Sequence, residues 1–293
     1  MSESPVVDLQ KVCQWFPKGD GVVRVLHNVS LAMGKQEVVS LVGPSGCGKS
    51  TLLYAILGTQ PPKSGTVLVA GREVKTPGPD RGIVYQDYSL FPFLTALQNV
   101  ALGLLLHNTS FPSRTFRPLK TWRLRREFRE RAEDVLEKVG LKDHMHKLPS
   151  ELSGGQRQRV AIAQAVIMNP AVLLLDEPLG ALDSTTREQL QMFILEMVDL
   201  FHPSILFVTH DVEEALFLGD RVVGLSQHWK HEGDDPHPGA TIVYDKVVPH
   251  SSSLEDKRQA DFTELVEEIR RSVYKPPQLL PLHELGRHIQ RNP

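Results

Sequence analysis

A glycine-rich loop between an apolar strand and an apolar helix constrains this chain more than any other feature. Val38 to Val42 is typical of a buried strand, and Thr51 to Leu57 is typical of a helix that ends at Gly58. The segment between them matches the pattern G-x-x-x-x-G-K-[ST], with the residues Gly43, Pro44, Ser45, Gly46, Cys47, Gly48, Lys49 and Ser50. This order of strand, loop and helix predicts a phosphate-binding loop in an α/β fold.

The chemistry of such a loop assigns a role to several of its residues. Backbone N–H groups converge on phosphate oxygens, and the N-terminus of the helix adds positive potential. We expect Lys49 to reach the β- and γ-phosphates, Ser50 to bind Mg²⁺ and Thr51 to contact the α-phosphate. Cys47 lies beside Lys49 at a helix N-terminus, a setting that favours the thiolate and predicts a thiol protected by bound nucleotide. An inert position within the loop is the interpretation that we favour for Cys47, and the reactive thiol is a hypothesis beside it.

Two acidic residues follow a second apolar strand, Val172 to Leu175. A buried parallel strand would place them beyond its carboxyl end, at the same crevice as the phosphate loop. Asp176 is then placed to organise Mg²⁺, and Glu177 is placed to polarise the attacking water. A solvated acidic turn before Pro178 is the alternative, and the phosphate loop upstream favours the catalytic interpretation.

Two further polar residues follow apolar strands. His210 comes after Ser204 to Thr209, so it should emerge at the same edge of the sheet, where it can bond the γ-phosphate or orient water. Gln86 comes after Ile83 to Tyr85, and its neutral amide suits a contact with Mg²⁺ or with water. A structural histidine and an ordinary loop glutamine are the alternatives.

A second helix start is also suited to an anion. The sequence is Leu152-Ser153-Gly154-Gly155-Gln156, in which Ser153 is a good N-cap and the two glycines leave backbone N–H groups open. Two such helix starts cannot easily hold one γ-phosphate from the same side. A second molecule that supplies one of them is therefore the attractive arrangement.

The motifs in this order resemble the ATP-binding subunits of ABC transporters. They are Walker A (43–51), the Q-loop Gln86, the signature Leu152 to Gln156, Walker B with Asp176 and Glu177, the D-loop Ala181-Leu182-Asp183 and the switch residue His210. The resemblance implies a RecA-like P-loop ATPase core with an antiparallel β subdomain and an inserted helical subdomain.

The same resemblance implies a function and further site residues. Two subunits pair head to tail, and each ATP with its Mg²⁺ lies between the Walker A loop of one subunit and the signature of the other. Asp183 belongs to this nucleotide interface. An aromatic residue near the N-terminus stacks on adenine in that family. Phe16 stands at that position, with Trp15 as the second candidate, and hydrophobic packing is the alternative.

The alternation of elements predicts two parts of the chain. Residues 1–226 form the ATPase domain, with a helical subdomain inserted at about 91–150, and residues 227–293 form a C-terminal extension. That extension contains one strand, Ala240 to Val248, and one amphipathic helix, Asp261 to Val273. Within the ATPase domain, a helix from Thr185 to Phe201 is predicted to begin with Thr185 and Glu188 as a capping box.

Two segments point to one branch of the family. Gly78 to Gln86 and Leu90 to Thr95 are similar to the branch that serves importers of nitrate, sulfonate and taurine. This similarity implies a small, anionic solute, a homodimer of ATPase subunits, transmembrane permease subunits and, indirectly, an extracytoplasmic solute-binding protein. Three aromatic residues lie near the Q-loop in sequence: Tyr88, Phe91 and Phe93. If exposed, they would contact the permease, and the alternative is that they pack in the core of the helical subdomain.

The composition restricts the classes of partner and the cellular compartment that we expect. The chain carries 33 basic and 35 acidic residues, a net charge of −2, so nothing predicts binding to nucleic acid. Cys13 and Cys47 are too few for a disulfide framework, and the N-terminus lacks a secretory signal. The apolar stretch Phe93 to Leu106 is shorter than the ~20 residues of a membrane span. We expect a peripheral subunit on the cytoplasmic face of the plasma membrane.

A soluble, non-transport ABC ATPase, of the nucleic-acid repair or regulatory type, is the alternative function. Such proteins carry long coiled-coil or other large insertions. Only 67 positions separate Gln86 from Ser153. The spacing therefore counts against that class.

Overall fold

A computed structural model of the chain describes residues 4–19, 21–108, 118–180, 182–229, 239–251 and 253–274. Within these ranges the strands are β1 (Val7–Lys18), β2 (Gly21–Met33), β3 (Val38–Val42), β4 (Ser64–Val69), β5 (Arg72–Glu73), β6 (Arg81–Val84), β7 (Val172–Asp176), β8 (Ile205–Thr209), β9 (Arg221–Ser226) and β10 (Thr241–Val247). The α-helices are α1 (Lys49–Leu57), α2 (Ala96–Asn108), α3 (Pro118–Lys138), α4 (Gly154–Val166), α5 (Ser184–Phe201), α6 (Val212–Leu218) and α7 (Ala260–Ile269).

A six-stranded sheet in the order β10-β9-β3-β8-β7-β6 carries the site. Strand β3 pairs in parallel with β8 and β9, and β7 pairs in parallel with β6 and β8. Every residue of β3, β7 and β8 is buried, as expected when both faces of a parallel sheet are covered. Val42 is paired with Thr209, and Asp176 with Val208, so the three strands end at one edge.

The second sheet is antiparallel and has the order β2-β1-β4-β5. The long hairpin of β1 and β2 forms most of it, and shifts in register interrupt the pairing three times. Buried residues of this sheet, among them Leu9, Val29 and Val67, share one hydrophobic cluster with α1 and with one face of the core sheet. This arrangement is the predicted α/β core with an antiparallel β subdomain.

Helices α2 and α3 and two short 3₁₀ turns, Lys142–His144 and Pro149–Glu151, lie in the interval predicted as the helical subdomain. Phe128, Ala132 and Leu136 of α3 are buried in the cluster that also contains Val100 and Leu104 of α2. Helix α3 begins at Pro118, which is consistent with the tolerance of proline in the first turn of a helix. The limits of about 91 and 150 for this subdomain stay a prediction.

The described residues after 226, which are 227–229, 239–251 and 253–274, contribute a strand and a helix that pack on the core. Strand β10 pairs antiparallel with β9 and becomes the edge of the main sheet. Helix α7 continues into a π-helical turn, Arg270–Tyr274, and Val266, Ile269 and Val273 are buried in the cluster that contains Leu216 of α6. The division of the chain at residue 226 stays a prediction, and residues 230–238 and 275–293 of the predicted extension lie outside the described residues.

Among the helices in the described ranges, none has both the length and the apolar character needed to cross a membrane.

Candidate functional site

The phosphate loop follows β3 and requires glycine at two positions for different reasons. Gly48, which precedes α1, has φ 108°, and a Cβ atom there would lie 2.8 Å from Val25 Cγ1. A Cβ atom on Gly43 would lie 2.8 Å from Cys47 Sγ and closer still to the carbonyl oxygen of Leu225. Only glycine therefore allows the backbone to take this path.

Lys49 is buried, and its ammonium group is directed back over the loop. Its Nζ atom donates to the carbonyl oxygens of Gly43, at 2.8 Å, and of Pro44, at 3.2 Å. Ser45, Gly46 and Ser50 are exposed along the loop, and Pro44 and Thr51 are partly exposed. The Lys49 ammonium group is thus held over the loop by two of the loop's own carbonyl groups, and its contact with phosphates stays a prediction.

Cys47 has an environment that overturns one expectation. Its side chain is 2% exposed, and burial raises the pKa of the thiol despite the opposing effect of Lys49. The predicted thiolate is therefore wrong, because loss of hydration outweighs the nearby positive charge. The backbone N–H of Cys47 donates to the carbonyl oxygen of Pro44 at 3.2 Å, so this residue helps close the turn of the loop.

The two acidic residues at the end of β7 have different surroundings. Asp176 is buried and accepts a hydrogen bond from Ser50 Oγ at 3.3 Å. Burial raises the pKa of its carboxyl, and Glu177 acts in the same direction, while Ser50 and Lys49 act against it. A hydroxyl and a carboxylate oxygen are ligands that Mg²⁺ prefers, so the pair fits this cation. Metal binding would also compensate the cost of the buried charge.

Glu177 has left-handed backbone geometry, with φ 47°, and its N–H donates to the carbonyl oxygen of Val208 at 2.9 Å. One carboxylate oxygen, Oε2, lies 3.2 Å from His210 Nδ1. Gln86 lies against the same turn, since a Cβ atom on Gly180 would be 3.2 Å from Gln86 Nε2. The strand ends therefore bring Glu177, His210 and Gln86 to the edge that holds the phosphate loop.

The second glycine-containing helix start has a reciprocal cap. Ser153 Oγ accepts from the backbone N–H of Gln156 at 3.2 Å, and Gln156 Oε1 accepts from the N–H of Ser153 at 3.0 Å. A Cβ atom added to Gly154 would lie 3.3 Å from the side chains of both Leu182 and Tyr88. Gly155 packs beside Thr186 in the same way. Within the described part of the chain, no hydrogen bond or ion pair joins this segment to residues 43–51.

The family profile described as "ABC transporter" matches residues 26–180. This chain belongs to the ABC transporter family. The nitrate import ATP-binding protein NrtD of Synechococcus elongatus is 40% identical over 252 residues, which cover 84% of each protein. The taurine import ATP-binding protein TauB of Rhizobium johnstonii is 40% identical over 263 residues, which cover 88% of this chain and 92% of that protein.

A solved structure gives the same result for the fold. A dimeric ATP-binding cassette in a post-hydrolysis state, bound to ADP and Pi, aligns with a TM-score of 0.64 and 30% identity. The alignment covers 83% of this chain and 99% of that one. The predicted RecA-like fold of an ABC nucleotide-binding domain is confirmed, and the chain is an ATP-binding ATPase subunit of the transport type. The non-transport alternative is not favoured.

Asp183, in the D-loop of this ABC subunit, caps α5. Its carboxylate accepts from the backbone N–H of Thr186 at 3.0 Å and from the Thr186 hydroxyl at 2.7 Å, and these bonds lower its pKa. The capping box predicted at Thr185 and Glu188 is wrong, because Asp183 takes that place two residues earlier. Ala181 lies outside the described residues.

Phe16, predicted to stack on adenine, lies near the tip of the β1–β2 hairpin. It is paired with Val23, which is exposed, whereas Phe16 and the neighbouring Trp15 are partly exposed. The adenine contact stays a prediction for either aromatic residue.

Two contacts to the ABC motifs were not predicted from the sequence. The Tyr274 hydroxyl donates to the carbonyl oxygen of His210 at 2.9 Å. The Arg157 guanidinium lies 5.2 Å from the centre of the Tyr88 ring, and its Nη1 donates to the carbonyl oxygen of Leu152 at 2.7 Å. Arg157 follows the signature directly, so its position was a usable signal. Nothing in the sequence around Tyr274 indicated a contact 64 residues away.

Proposed function

We propose that this subunit hydrolyses MgATP as a head-to-tail homodimer and drives import of a small anionic solute through a membrane permease. The observation that carries the proposal is the meeting of Lys49, Glu177, His210 and the Ser50–Asp176 pair at one edge of the sheet. Phosphoryl transfer to water requires these groups: a cation on the phosphates, ligands for Mg²⁺ and a base for the water.

Each group then has a defined task. Residues 43–51 hold the phosphates through Lys49 and the loop amides. Ser50, Asp176 and Gln86 hold Mg²⁺, which when bound neutralises charge on the β- and γ-phosphates. Glu177 accepts a proton from the attacking water at the carboxylate oxygen that does not face His210. His210 orients the water or bonds the γ-phosphate, and its contact with Glu177 keeps both side chains at the same place.

The second half of each site is proposed to come from the partner subunit. Gly154 and Gly155 offer first-turn amides that have no acceptor within their own helix, while Ser153 and Gln156 fix the geometry of that turn. Asp183 lies beside this signature, since Gly154 packs on Leu182. The dimeric state of the similar cassette supports this arrangement.

We infer the transport partners from the similar proteins, whose names state import of nitrate and of taurine. We place this subunit at the cytoplasmic face of the membrane, with transmembrane permease subunits as direct partners and an extracytoplasmic solute-binding protein as an indirect one. Phe91 and Phe93 are 42% and 71% exposed near the Q-loop, which suits a permease contact. Recognition of nitrate, a sulfonate or a related anion then belongs to the partners.

The catalytic assignment is tested with Glu177→Gln. This variant should bind MgATP, accumulate as a dimer in gel filtration and turn over at least about 100-fold more slowly, because it lacks the general base. Lys49→Ala is the contrasting variant, and it should lose about ten-fold or more in MgATP affinity by calorimetry. Near-normal turnover by Glu177→Gln would mean that the water is activated elsewhere. Binding of ATP without Mg²⁺ at unchanged affinity would contradict the metal assignment.

The transport assignment is tested by purification of tagged Glu177→Gln protein with MgATP from detergent-solubilised native membranes. We expect a multi-span permease to copurify, and its identification opens uptake assays with nitrate and taurine. Recovery of only soluble proteins or nucleic acid, despite intact ATP-dependent dimers, would overturn the transport assignment and leave the ATPase assignment standing.

A further inference from the structure

Tyr274 reaches the catalytic edge from the end of the C-terminal helical segment. Its hydroxyl donates to the carbonyl oxygen of His210 at 2.9 Å. Burial raises the pKa of the phenol to about 12, although a hydrogen bond from the backbone of Gly43 acts in the opposite direction. The hydroxyl therefore keeps its proton and stays a donor throughout the physiological pH range.

The segment that carries Tyr274 is fixed by contacts of its own. Ser226 Oγ, at the end of β9, donates to the carbonyl oxygen of Val273 at 2.7 Å. Val273 is fully buried and fills the space left by the missing side chain of Gly224, where an added Cβ would come within 2.3 Å of it. Tyr274 is thus held in place by the core sheet and does not depend on the site for its position.

His210 has open space around its ring. Its side chain is 56% exposed, and with Tyr274 it lines a cavity of about 580 Å³. The peptide group that follows it is held on both sides, because the carbonyl oxygen accepts from Tyr274 and the N–H of Asp211 donates to Thr209 Oγ1 at 3.0 Å. Since a peptide group is planar, these two bonds fix the orientation of the peptide plane that begins at the Cα atom of His210, the atom from which the side chain extends.

We propose that Tyr274 is a positioning residue for His210, and that the C-terminal extension thereby takes part in the ATPase site. The hydroxyl orients the His210–Asp211 peptide group, which places Nδ1 at 3.2 Å from Glu177 Oε2. The inference rests on the proposed roles of Glu177 and His210. It goes beyond them because it assigns a function to a residue outside the six motifs and outside the matched range 26–180.

The first test is Tyr274→Phe, which removes the hydroxyl and keeps the ring. We expect kcat for MgATP to fall about five-fold, the scale on which a single hydrogen bond acts on a rate, with KM changed by less than about two-fold. Tyr244→Phe is the matched control, because its hydroxyl bonds Glu268 in the same C-terminal layer and has no role in the site. Thermal unfolding of both variants verifies that each is folded.

A double-mutant cycle with His210→Ala separates positioning from a general structural effect. If Tyr274 acts through the imidazole, Tyr274→Phe should cause no further loss of kcat in the His210→Ala background. An equal loss in both backgrounds would overturn the inference, since Tyr274 would then act elsewhere, for example through Gly43. A wild-type kcat for Tyr274→Phe, with His210→Ala impaired, would also overturn it and leave the proposed function intact. A fully active His210→Ala would instead contradict the proposed role of His210.

Discussion

The guanidinium of Arg157 lies 5.2 Å from the centre of the Tyr88 ring, and this contact joins the Q-loop segment to the signature. Tyr88 follows Gln86 by two residues and has left-handed backbone geometry, with φ 59°. Arg157 also donates to the carbonyl oxygen of Leu152, immediately before Ser153. A change around Gln86 therefore has a direct route to the segment proposed to bind the partner's nucleotide.

Arg157→Lys should weaken dimerisation but not nucleotide binding by the monomer. A lysine retains the charge but loses the planar stacking and the fixed donor geometry, a loss of about 1 kcal/mol, or about five-fold in the dimer dissociation constant. The measurement is MgATP-driven dimerisation in the Glu177→Gln background. Arg159→Lys is the control, because Arg159 lies 4.3 Å from the Phe193 ring and bonds Val139, away from the signature. Equal effects of the two substitutions would contradict a specific role for Arg157.

Asp176→Asn should abolish Mg²⁺-dependent ATPase activity while it stabilises the nucleotide-free protein. Burial raises the pKa of Asp176, so its ionised form at neutral pH costs free energy of folding, and this cost disappears as the pH falls below its folded pKa. Removal of the charge should raise Tm by about 2–4 °C, the shift that about 1 kcal/mol causes in a domain of this size. A Tm that falls at neutral pH would show that the ionised carboxylate is stabilising.

Asp183→Asn should destabilise the protein at neutral pH, the opposite of the effect expected for Asp176→Asn. Hydrogen bonds from Thr186 lower the pKa of Asp183, so its ionised form stabilises the fold above its ordinary pKa of about 4. We expect a lower Tm at neutral pH, and a difference from wild type that shrinks as the pH falls through the lowered pKa. A difference that does not vary with pH would mean that the carboxylate charge is unimportant for the cap.

Gly224→Ala should destabilise the fold by forcing Val273 out of its place. The added methyl group would lie 2.3 Å from Val273 Cγ2 and 2.9 Å from Tyr244 Cβ, and overpacking of this kind costs about 1–3 kcal/mol. Val273→Ala in the same chain should restore part of the free energy of unfolding, measured with denaturant. Gly21→Ala, where the nearest atom is 3.9 Å away, is the control and should be nearly neutral. No recovery in the double variant would contradict the packing explanation.

Cys47 should be unreactive in the folded protein. Burial raises the pKa of its thiol, so the thiolate forms only at a pH above the ordinary range. In a Cys13→Ser variant, which retains Cys47 alone, alkylation at about pH 8 should require denaturant, with or without MgATP. Rapid labelling of the native variant would show that the loop opens in solution.

The sequence by itself determined the ATPase core and the positions of its motifs. Short apolar strands that end near Gly43, Asp176 and His210 predicted an α/β core with its polar residues at one sheet edge, because parallel strands buried on both faces end at a common edge. The resemblance of the motifs to ABC transporter subunits then implied the RecA-like ATPase fold. The spacing of the glycines also predicted the phosphate loop, since glycine is required where a side chain would block the path of the backbone. The family profile and the similar cassette agree with that fold.

Tertiary structure alone decided which groups are buried and which distant residues meet. The charge of Lys49 beside Cys47 predicted a thiolate, but burial reverses the direction of the pKa shift, and burial depends on elements remote in sequence. The predicted cap at Thr185 gave way to Asp183 because the folded D-loop brings that carboxylate to Thr186. Tyr274 reaches His210 only because Val273 packs on Gly224 of a neighbouring strand. Contacts of this kind depend on packing between separate elements, which no local pattern in a single sequence records.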